Sequence, residues 1–264
     1  MIFAEIGWNF LGDLSLAKKM ILAAKNSKCK VVKFQLWDPK FLKPGPWDSD
    51  GRRQIYEKAY LDDQKFEDLY KFSIKNDLDC FASVFNNYDY DRLKQISNKS
   101  IKIPSPEVYD FKLIEKSLME FENVYVSTGA MKFDELEHLK KYKSEKNFFP
   151  MHCVSIYPLD SENANFKKFN YLKENFKIVG YSGHCKGIND ALFALSNGAS
   201  FVEKHFTINN KLEGRDNKFA ITPAELKTLC EFENDIKKFN IDKGLDLQEK
   251  EKDVFNNYRG RWRK

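Results

Sequence analysis

Polar side chains that could do chemistry recur at the ends of short apolar runs along most of the chain. The runs are typical of buried strands, and each carries charged, hydroxyl or imidazole groups at or just beyond its end. These groups are Glu5, Lys33, Gln35, Ser83, Lys102, Ser105, Glu107, Ser127, Thr128, His152, Ser155, Tyr157, Ser182, His184, Glu203, Lys204 and His205. Because burying an uncompensated charge costs several kcal/mol, their convergence predicts a polar pocket for a charged ligand.

The residue types narrow the chemistry of this pocket. Two lysines and several hydroxyls supply point charges and hydrogen-bond donors, which favours a phosphate or carboxylate ligand. Of four histidines, only His138 falls in a predicted helix, whereas His152, His184 and His205 fall at predicted strand ends. Imidazoles beside acidic groups suit a divalent ion such as Mn²⁺ or Zn²⁺, although a single histidine is more often structural.

Eight apolar, β-rich runs must position these side chains, and amphipathic helical stretches separate them. The predicted strands are Ile2–Ile6, Lys30–Leu36, Asp79–Val84, Ser100–Ile103, Asn123–Ser127, Asn147–Cys153, Lys177–Tyr181 and Ser200–His205. This alternation predicts an α/β protein with a (β/α)8 TIM barrel, whose active site lies at the carboxyl ends of the strands. An open doubly wound sheet is the alternative, but the Gly-x-Gly-x-x-Gly motif of dinucleotide-binding sheets follows no early strand.

The 264 residues suit one barrel of roughly 250 residues. We predict a single barrel domain over residues 1–241 and a charged tail over residues 242–264. The segment Trp37–Tyr60 is rich in Pro, Gly, Trp and Asp, which predicts a long loop that is either a binding loop or disordered. Thr222 and Glu225 flank Pro223 as a capping box that opens the last long helix.

Composition excludes several classes of protein. The net charge is only +5, from 44 basic and 39 acidic residues, so we expect no nucleic-acid partner. No run of roughly 18 apolar residues predicts a membrane span, and the first residues do not resemble a signal peptide. Five cysteines without a Cys-x-x-Cys pair favour free thiols and a cytoplasmic location.

Seven segments, in order and at strand ends, resemble the bacterial N-acetylneuraminate (sialic acid) synthases and their relatives that make legionaminic and pseudaminic acids. They are Ala4-Glu5-Ile6-Gly7-Trp8-Asn9, Val32-Lys33-Phe34-Gln35, Ile101-Lys102-Ile103-Pro104-Ser105, Val126-Ser127-Thr128-Gly129, His152-Cys153-Val154-Ser155-Ile156-Tyr157-Pro158, Gly180-Tyr181-Ser182-Gly183-His184 and Glu203-Lys204-His205-Phe206-Thr207. The resemblance covers roughly Met1 to Ile236. It implies a synthase that joins phosphoenolpyruvate to an N-acetylated hexosamine with help from a divalent metal, Mn²⁺ or Mg²⁺.

The resemblance also implies a role for each site residue. His184 and His205 would be the metal ligands and Glu5 the catalytic carboxylate. Residues implied to bind phosphoenolpyruvate are Lys33, Ser83, Lys102, Ser105, Ser127 and Ser182, and those implied to contact the sugar are Gln35, Ser155, Tyr157 and Asp216. Glu107 and Glu203 would be supporting carboxylates.

Departures from the family pattern bear on metal and sugar binding. Phe10 stands where His is usual, Gly183 where an Asp usually precedes the first metal histidine, and Arg215 where Pro is common. Family members also continue into an antifreeze-like domain that supplies an arginine to the sugar site of a dimer partner, and these 264 residues contain no such domain. The tail, Arg215, or a separate chain would then provide that contact, with a homodimer as one arrangement, or the sugar differs.

Three other functions stay open at this level. The same chemistry could use another aldose, as in 3-deoxy-octulosonate phosphate synthases, whose phosphorylated sugar needs a second phosphate site. The departures also fit a catalytically impaired or partner-dependent barrel, and an unrelated metal-dependent aldolase or isomerase shares the predicted fold.

Overall fold

The computed structural model describes residues 1–262, in which eight parallel strands close into a barrel in sequence order. The strands are β1 Ile2–Gly7, β2 Val31–Leu36, β3 Asp79–Val84, β4 Ser100–Ile103, β5 Asn123–Ser127, β6 Phe148–Cys153, β7 Gly180–Gly183 and β8 Phe201–His205. Closure is completed by β8 pairing with β1, where Glu5 lies opposite His205. The predicted (β/α)8 barrel is therefore confirmed.

Helices cover the outside of the barrel and follow the strands. They are α1 Leu14–Asn26, α2 Arg52–Lys58, α3 Asp63–Lys75, α4 Asn87–Ile96, α5 Phe111–Glu120, α6 Phe133–His138, α7 Phe166–Asn175, α8 Asn189–Ser196 and α9 Pro223–Phe239. Asp13, Asp62 and Asp110 cap α1, α3 and α5 by accepting hydrogen bonds from backbone N–H groups. The predicted capping box of α9 is present, with the Thr222 N–H donating to Glu225 at 2.8 Å.

Two apolar layers hold the barrel together. Aliphatic and aromatic side chains fill the space between the sheet and the helices, as expected for strands buried on both faces. A second cluster fills the barrel interior beneath the polar residues, and it consists of Phe3, Val31, Phe81, Tyr125, Met151 and Phe201. This floor closes the amino-terminal end of the barrel and leaves polar side chains at the carboxyl ends of the strands.

Two predicted elements differ from the structure. The seventh strand is Gly180–Gly183 instead of Lys177–Tyr181, and a Cβ at Gly180 would lie 2.1 Å from the Phe201 ring. The predicted loop Trp37–Tyr60 is partly helical, since it contains single turns at Pro39–Phe41 and Pro46–Asp48 and the helix α2. Local composition alone does not show either element, because it does not contain the neighbouring residues against which each one packs.

The described carboxyl-terminal residues contribute nothing to the core. Residues 242–262 are exposed throughout, while Arg263 and Lys264 of the predicted tail lie outside the described residues. The proposed domain boundary at residue 241 stays a prediction. None of the helices described is both long and apolar enough to cross a membrane.

Candidate active site

A cavity of about 690 Å³ opens at the carboxyl ends of the strands, within the range typical of ligand pockets. Thirteen of the fifteen residues with a predicted role line it. They are Glu5, Lys33, Gln35, Ser83, Lys102, Ser105, Ser127, Tyr157, Ser182, His184, Glu203, His205 and Asp216. Glu107 instead lines an adjoining cavity of about 620 Å³, and Ser155 is partly buried behind Gly129. Residues separated by most of the chain thus meet at one mouth of the barrel.

Glu5 is held by two side chains of β2. The Lys33 ammonium lies 2.5 Å from one Glu5 oxygen, and the Gln35 amide donates to the other at 2.6 Å. Lys33 also donates to Ser83 at 2.7 Å. Burial raises the pKa of Glu5 to about 7, with Glu203 acting in the same direction and Lys33 in the opposite one. A carboxyl with such a pKa can exchange protons near neutral pH.

Glu203 connects the two buried lysines. It lies 3.2 Å from the Lys102 ammonium and 3.7 Å from that of Lys33, and it accepts a hydrogen bond from Ser182 at 3.0 Å. Although burial opposes ionisation, Lys102 and Lys33 together lower the pKa of Glu203 to about 2. Lys33 and Lys102 therefore face the cavity with the ionised Glu203 carboxylate between them, and burial lowers the pKa of Lys102. Both amines can donate hydrogen bonds to an anionic ligand.

Hydroxyl groups from β4 to β6 surround a glycine on the same side of the cavity. The Gly129 N–H donates to the Ser105 hydroxyl at 3.1 Å, and a Cβ at Gly129 would lie 2.3 Å from Ser155 Oγ and 2.5 Å from Ser105 Oγ. Among the described residues, the buried hydroxyls of Ser127 and Ser155 have no hydrogen-bond partner. Buried hydroxyls are usually hydrogen-bonded in proteins, so these two groups have bonds to offer to water or to a ligand.

The two predicted metal ligands face each other. The ring centroids of His184 and His205 are 5.5 Å apart, and Tyr157 packs on His184 at 4.1 Å. His184 Nδ1 donates to the Val154 carbonyl at 2.9 Å, so Nε2 is the ring nitrogen that could act as a ligand. Burial opposes the charged ring, but the adjacent Cys153 raises the pKa of His184 above its ordinary value. Burial and the adjacent His184 lower the pKa of His205 well below its ordinary value, so that ring is neutral near pH 7.

Asp216 joins this pair from the loop after β8. Its carboxylate lies 3.4 Å from His205 Nδ1 and accepts a hydrogen bond from the Trp8 indole at 2.5 Å. Burial raises the pKa of Asp216. The carboxylate thus lines the cavity directly beside one of the two predicted metal ligands.

A model of the NeuB family matches residues 20–243, and named relatives agree with it. The N,N'-diacetyllegionaminic acid synthase of Campylobacter jejuni is 32% identical over 247 residues, covering 87% of this chain and 74% of the relative. A pseudaminic acid synthase of Campylobacter jejuni is 31% identical, covering 94% and 77%. The solved N-acetylneuraminic acid synthetase of Leptospira borgpetersenii, in complex with citrate, superposes with a TM-score of 0.84 at 31% identity, covering 100% of this chain and 92% of that one.

The chain belongs to the NeuB family. This membership confirms the expected resemblance and the expected class of acid synthase. The roles of individual residues stay predictions, which the geometry above makes specific.

Two departures from the NeuB pattern now have structural explanations. Phe10 is buried and packs on Phe34 at a centroid distance of 6.0 Å, and it is not among the residues that line the cavity. Gly183 has no room for a side chain, because a Cβ there would lie 2.4 Å from the Asp190 carboxylate. Arg215, the third departure, does line the cavity.

His152 and Lys204 do not reach the cavity of this NeuB barrel, although both lie in strands that carry site residues. Successive side chains of a strand point to opposite faces, so Cys153 and Glu203 point inward while His152 and Lys204 point toward the helices. His152 bonds the Ala164 carbonyl at 2.7 Å, and burial lowers the pKa of His152 to about 4. The prediction that His152 points into the pocket with the other strand-end histidines was therefore wrong.

Several lining residues of the NeuB site were missed by the sequence analysis. Trp8 and Tyr56 pack against each other at the cavity wall, with ring centroids 5.0 Å apart. Three further basic side chains, Arg52, Lys186 and Lys218, line the cavity beside Arg215. Trp8 lies in a quoted motif and could have been proposed, whereas Tyr56 and Arg52 belong to α2, which was predicted as loop.

The fit of a divalent ion to this site can be tested on the donor groups. At metal–nitrogen distances of about 2.0–2.1 Å, imidazoles with centroids 5.5 Å apart can share one ion. Within residues 1–262, no group of three His, Cys, Asp or Glu side chains could hold an ion, so water or substrate oxygens would complete the coordination. Two imidazoles with oxygen ligands suit Mn²⁺ and related ions, and the residues therefore fit.

Proposed function

We propose that this protein condenses phosphoenolpyruvate with the open-chain form of an N-acetylmannosamine-like aldose, producing a nine-carbon ulosonic acid and inorganic phosphate. One observation carries the proposal: Lys33 and Lys102 are buried and face the same cavity as the His184 and His205 pair. A substrate with a phosphate and a carboxylate would bind the two lysines, and an aldehyde would lie beside the two histidines.

Binding of phosphoenolpyruvate is assigned to the lysine and serine side. Lys33 and Lys102 supply the charge that a phosphate and a carboxylate need, and the Ser127 hydroxyl, which lines the cavity without a hydrogen-bond partner, supplies a donor. Glycine is required at position 129, since a Cβ there would collide with Ser105 and Ser155. These groups act by positioning and by electrostatic stabilisation.

The acceptor sugar is assigned to the side formed by Gln35, Tyr157 and Asp216. When a divalent ion is bound by His184 and His205, the chemistry that it supplies is Lewis-acid polarisation of the aldehyde oxygen. Tyr157 and Asp216 flank the two imidazoles and would orient the aldehyde end of the sugar.

The reaction then balances as follows. C3 of phosphoenolpyruvate forms a bond to the aldehyde carbon as the C=O π bond of the aldehyde breaks, and water adds to C2, where positive charge develops. Glu5 takes one proton from that water, and the aldehyde oxygen gains one proton and becomes a hydroxyl. The tetrahedral adduct releases phosphate as the bond from C2 to the phosphate oxygen breaks, and the proton of the C2 hydroxyl leaves with the phosphate, so that C2 becomes a ketone. Lys33, in contact with Glu5 at 2.5 Å, holds the carboxylate ready for this proton transfer.

A second acceptor class is favoured by one observation. Arg52, Lys186, Arg215 and Lys218 line the cavity, and such side chains could bind the phosphate of a phosphorylated aldose. The reaction at C2 and C3 of phosphoenolpyruvate would be the same.

Phosphate release from phosphoenolpyruvate tests the proposal. We expect release only when an N-acetylated hexosamine or its 6-phosphate and Mn²⁺ are both present, and the better sugar decides between the two acceptor classes. Lys102→Met should abolish saturation by phosphoenolpyruvate, whereas the exposed Lys99→Met should leave the wild-type rate. Phosphate release with no sugar at all, or none with any sugar tested, would contradict the proposal.

A further inference from the structure

A buried charged cluster lies outside the barrel wall, directly behind the predicted metal site. Lys204 of β8 donates to both oxygens of Asp190, in the first turn of α8, at 2.9 Å each. Tyr181 of β7 donates to the same carboxylate at 3.0 Å. The exposed fractions are 2% for Lys204, 8% for Asp190 and 1% for Tyr181. The mechanism proposed above uses none of these three residues.

The cluster is hydrogen-bonded to the chain directly after a predicted histidine ligand. Lys204 also donates to the Cys185 carbonyl at 2.7 Å, immediately after His184. The carbonyl of His184 itself accepts from the Leu159 N–H at 3.0 Å. On β8, Lys204 is adjacent to His205, whose side chain points into the cavity. Lys204 therefore contacts the loop that contains His184 and lies next to His205 on β8.

Gly183 and Asp190 occupy a single space. A Cβ at Gly183 would lie 2.4 Å from Asp190 Oδ2, 2.5 Å from Cε1 of the Tyr181 ring, which Asp190 holds by a hydrogen bond, and 3.1 Å from Lys204 Cδ. The backbone of Gly183 is not in the left-handed region, so packing alone requires glycine there. A carboxylate at position 183 would have to reach Lys204 through the volume that Asp190 now fills.

We propose that Asp190 is a positioning residue that takes the place of the aspartate expected at position 183, and that through Lys204 it fixes the His184 loop for divalent-ion binding. The carboxylate expected at position 183 on β7 is thus replaced by the carboxylate of Asp190 on α8. The inference rests on the metal assignment of the proposed function, but it does not depend on the identity of either substrate.

A purely stabilising ion pair is the competing explanation. Buried ion pairs often contribute little to stability relative to apolar replacements, whereas groups that orient metal ligands typically change metal affinity about 10- to 100-fold when mutated. Metal affinity and local backbone protection therefore separate the two explanations.

The first experiment replaces the charge at constant shape. Asp190→Asn should raise the Kd for Mn²⁺, titrated calorimetrically without substrates, about tenfold or more. It should also speed hydrogen exchange of the Leu159 amide, which bonds the His184 carbonyl. Asp89→Asn is the matched control, since Asp89 is buried and paired with Arg92 at 3.3 Å on α4, and it should alter neither quantity.

The second experiment tests the exchange itself. Gly183→Asp alone should lose Mn²⁺ affinity because two carboxylates compete for one space, while the double variant Gly183→Asp with Asp190→Ala should recover most of it. If the single variant Asp190→Ala does not fold, the double variant still tests the proposal, because it restores a carboxylate next to Lys204.

Three results would overturn the inference. They are an unchanged Mn²⁺ affinity in a folded Asp190→Asn protein, a double variant no better than Gly183→Asp, and a wild-type protein that does not bind Mn²⁺. If Mn²⁺ binds and responds as expected while no condensation occurs, the proposed function fails and the positioning role of Asp190 stands.

Discussion

Among single residues, Glu5 carries the most specific chemistry. Its carboxylate is fully enclosed, contacts Lys33 at 2.5 Å and accepts from Gln35 at 2.6 Å. Burial raises the pKa of Glu5 to about 7, so a large share of the group changes protonation across the neutral range. A residue in this state is suited to accept a proton from water and to return it.

Replacing Glu5 by Gln should therefore lower kcat without a comparable change in the KM for phosphoenolpyruvate. General acid–base catalysis contributes about 10²–10⁴-fold, so we expect a loss of at least about 100-fold in steady-state phosphate release. Because the ionised form is the base and exists mainly above its pKa, wild-type kcat should rise as the pH increases through 7. Glu5→Gln should lose this rise, whereas the exposed Glu122→Gln should keep it. An unchanged pH profile in Glu5→Gln would exclude Glu5 as the titrating base.

Residue types could be predicted from the sequence more readily than their directions. The residues Glu5, Lys33, Lys102, His184 and His205 were proposed together and line one cavity. His152 was grouped with them, yet it faces Phe166 and Phe169. In a strand buried on both faces, apolar residues do not reveal which alternate positions point inward, so only the closed barrel assigns the direction.

At the scale of elements, the strands were predictable because parallel strands form continuous apolar runs. The exception is β7, since Lys177-Ile178-Val179 has the composition of a strand but precedes it. The actual strand begins at Gly180, where the Phe201 ring occupies the side-chain position. Composition favoured the β-branched residues, and the packing of a neighbouring strand decided the outcome. The composition of Trp37–Tyr60 likewise predicted a loop, whereas the structure has the helix α2 there. This helix contributes Tyr56 to both cavities.

The aromatic floor of the barrel gives a prediction about stability. Phe3 is fully buried and its ring lies 5.0–5.7 Å from those of Phe81, Tyr125 and Phe201. Phe3→Ala should therefore lower the free energy of unfolding by about 3–5 kcal/mol, measured by urea denaturation. Phe133→Ala, at a phenylalanine that is 66% exposed, should cost far less. Similar losses for the two variants would show that this layer does not stabilise the barrel.

On the scale of the whole molecule, barrel closure explains how residues from positions 5 to 216 share one site. Closure also decides which basic groups are available to the substrate. Arg52, Lys186, Arg215 and Lys218 line the cavity, whereas residues 242–262 are exposed along their length. The sequence alone left two sources for an arginine at the sugar, the tail and Arg215, because it could not place either one relative to the pocket.

The placement favours Arg215 over the tail. Truncation after Asp253 should leave the KM for the sugar unchanged, since none of the described residues beyond this point lines the cavity. Arg215→Ala should raise that KM about tenfold or more, as expected when a charge-assisted hydrogen bond of about 1.5–3 kcal/mol is lost. Both variants can be compared in one phosphate-release assay, with sedimentation recording the oligomeric state. If truncation instead raises the KM for the sugar, the tail does reach a sugar site. If the truncated protein also changes from a homodimer to a monomer, that sugar site is the one in the partner chain.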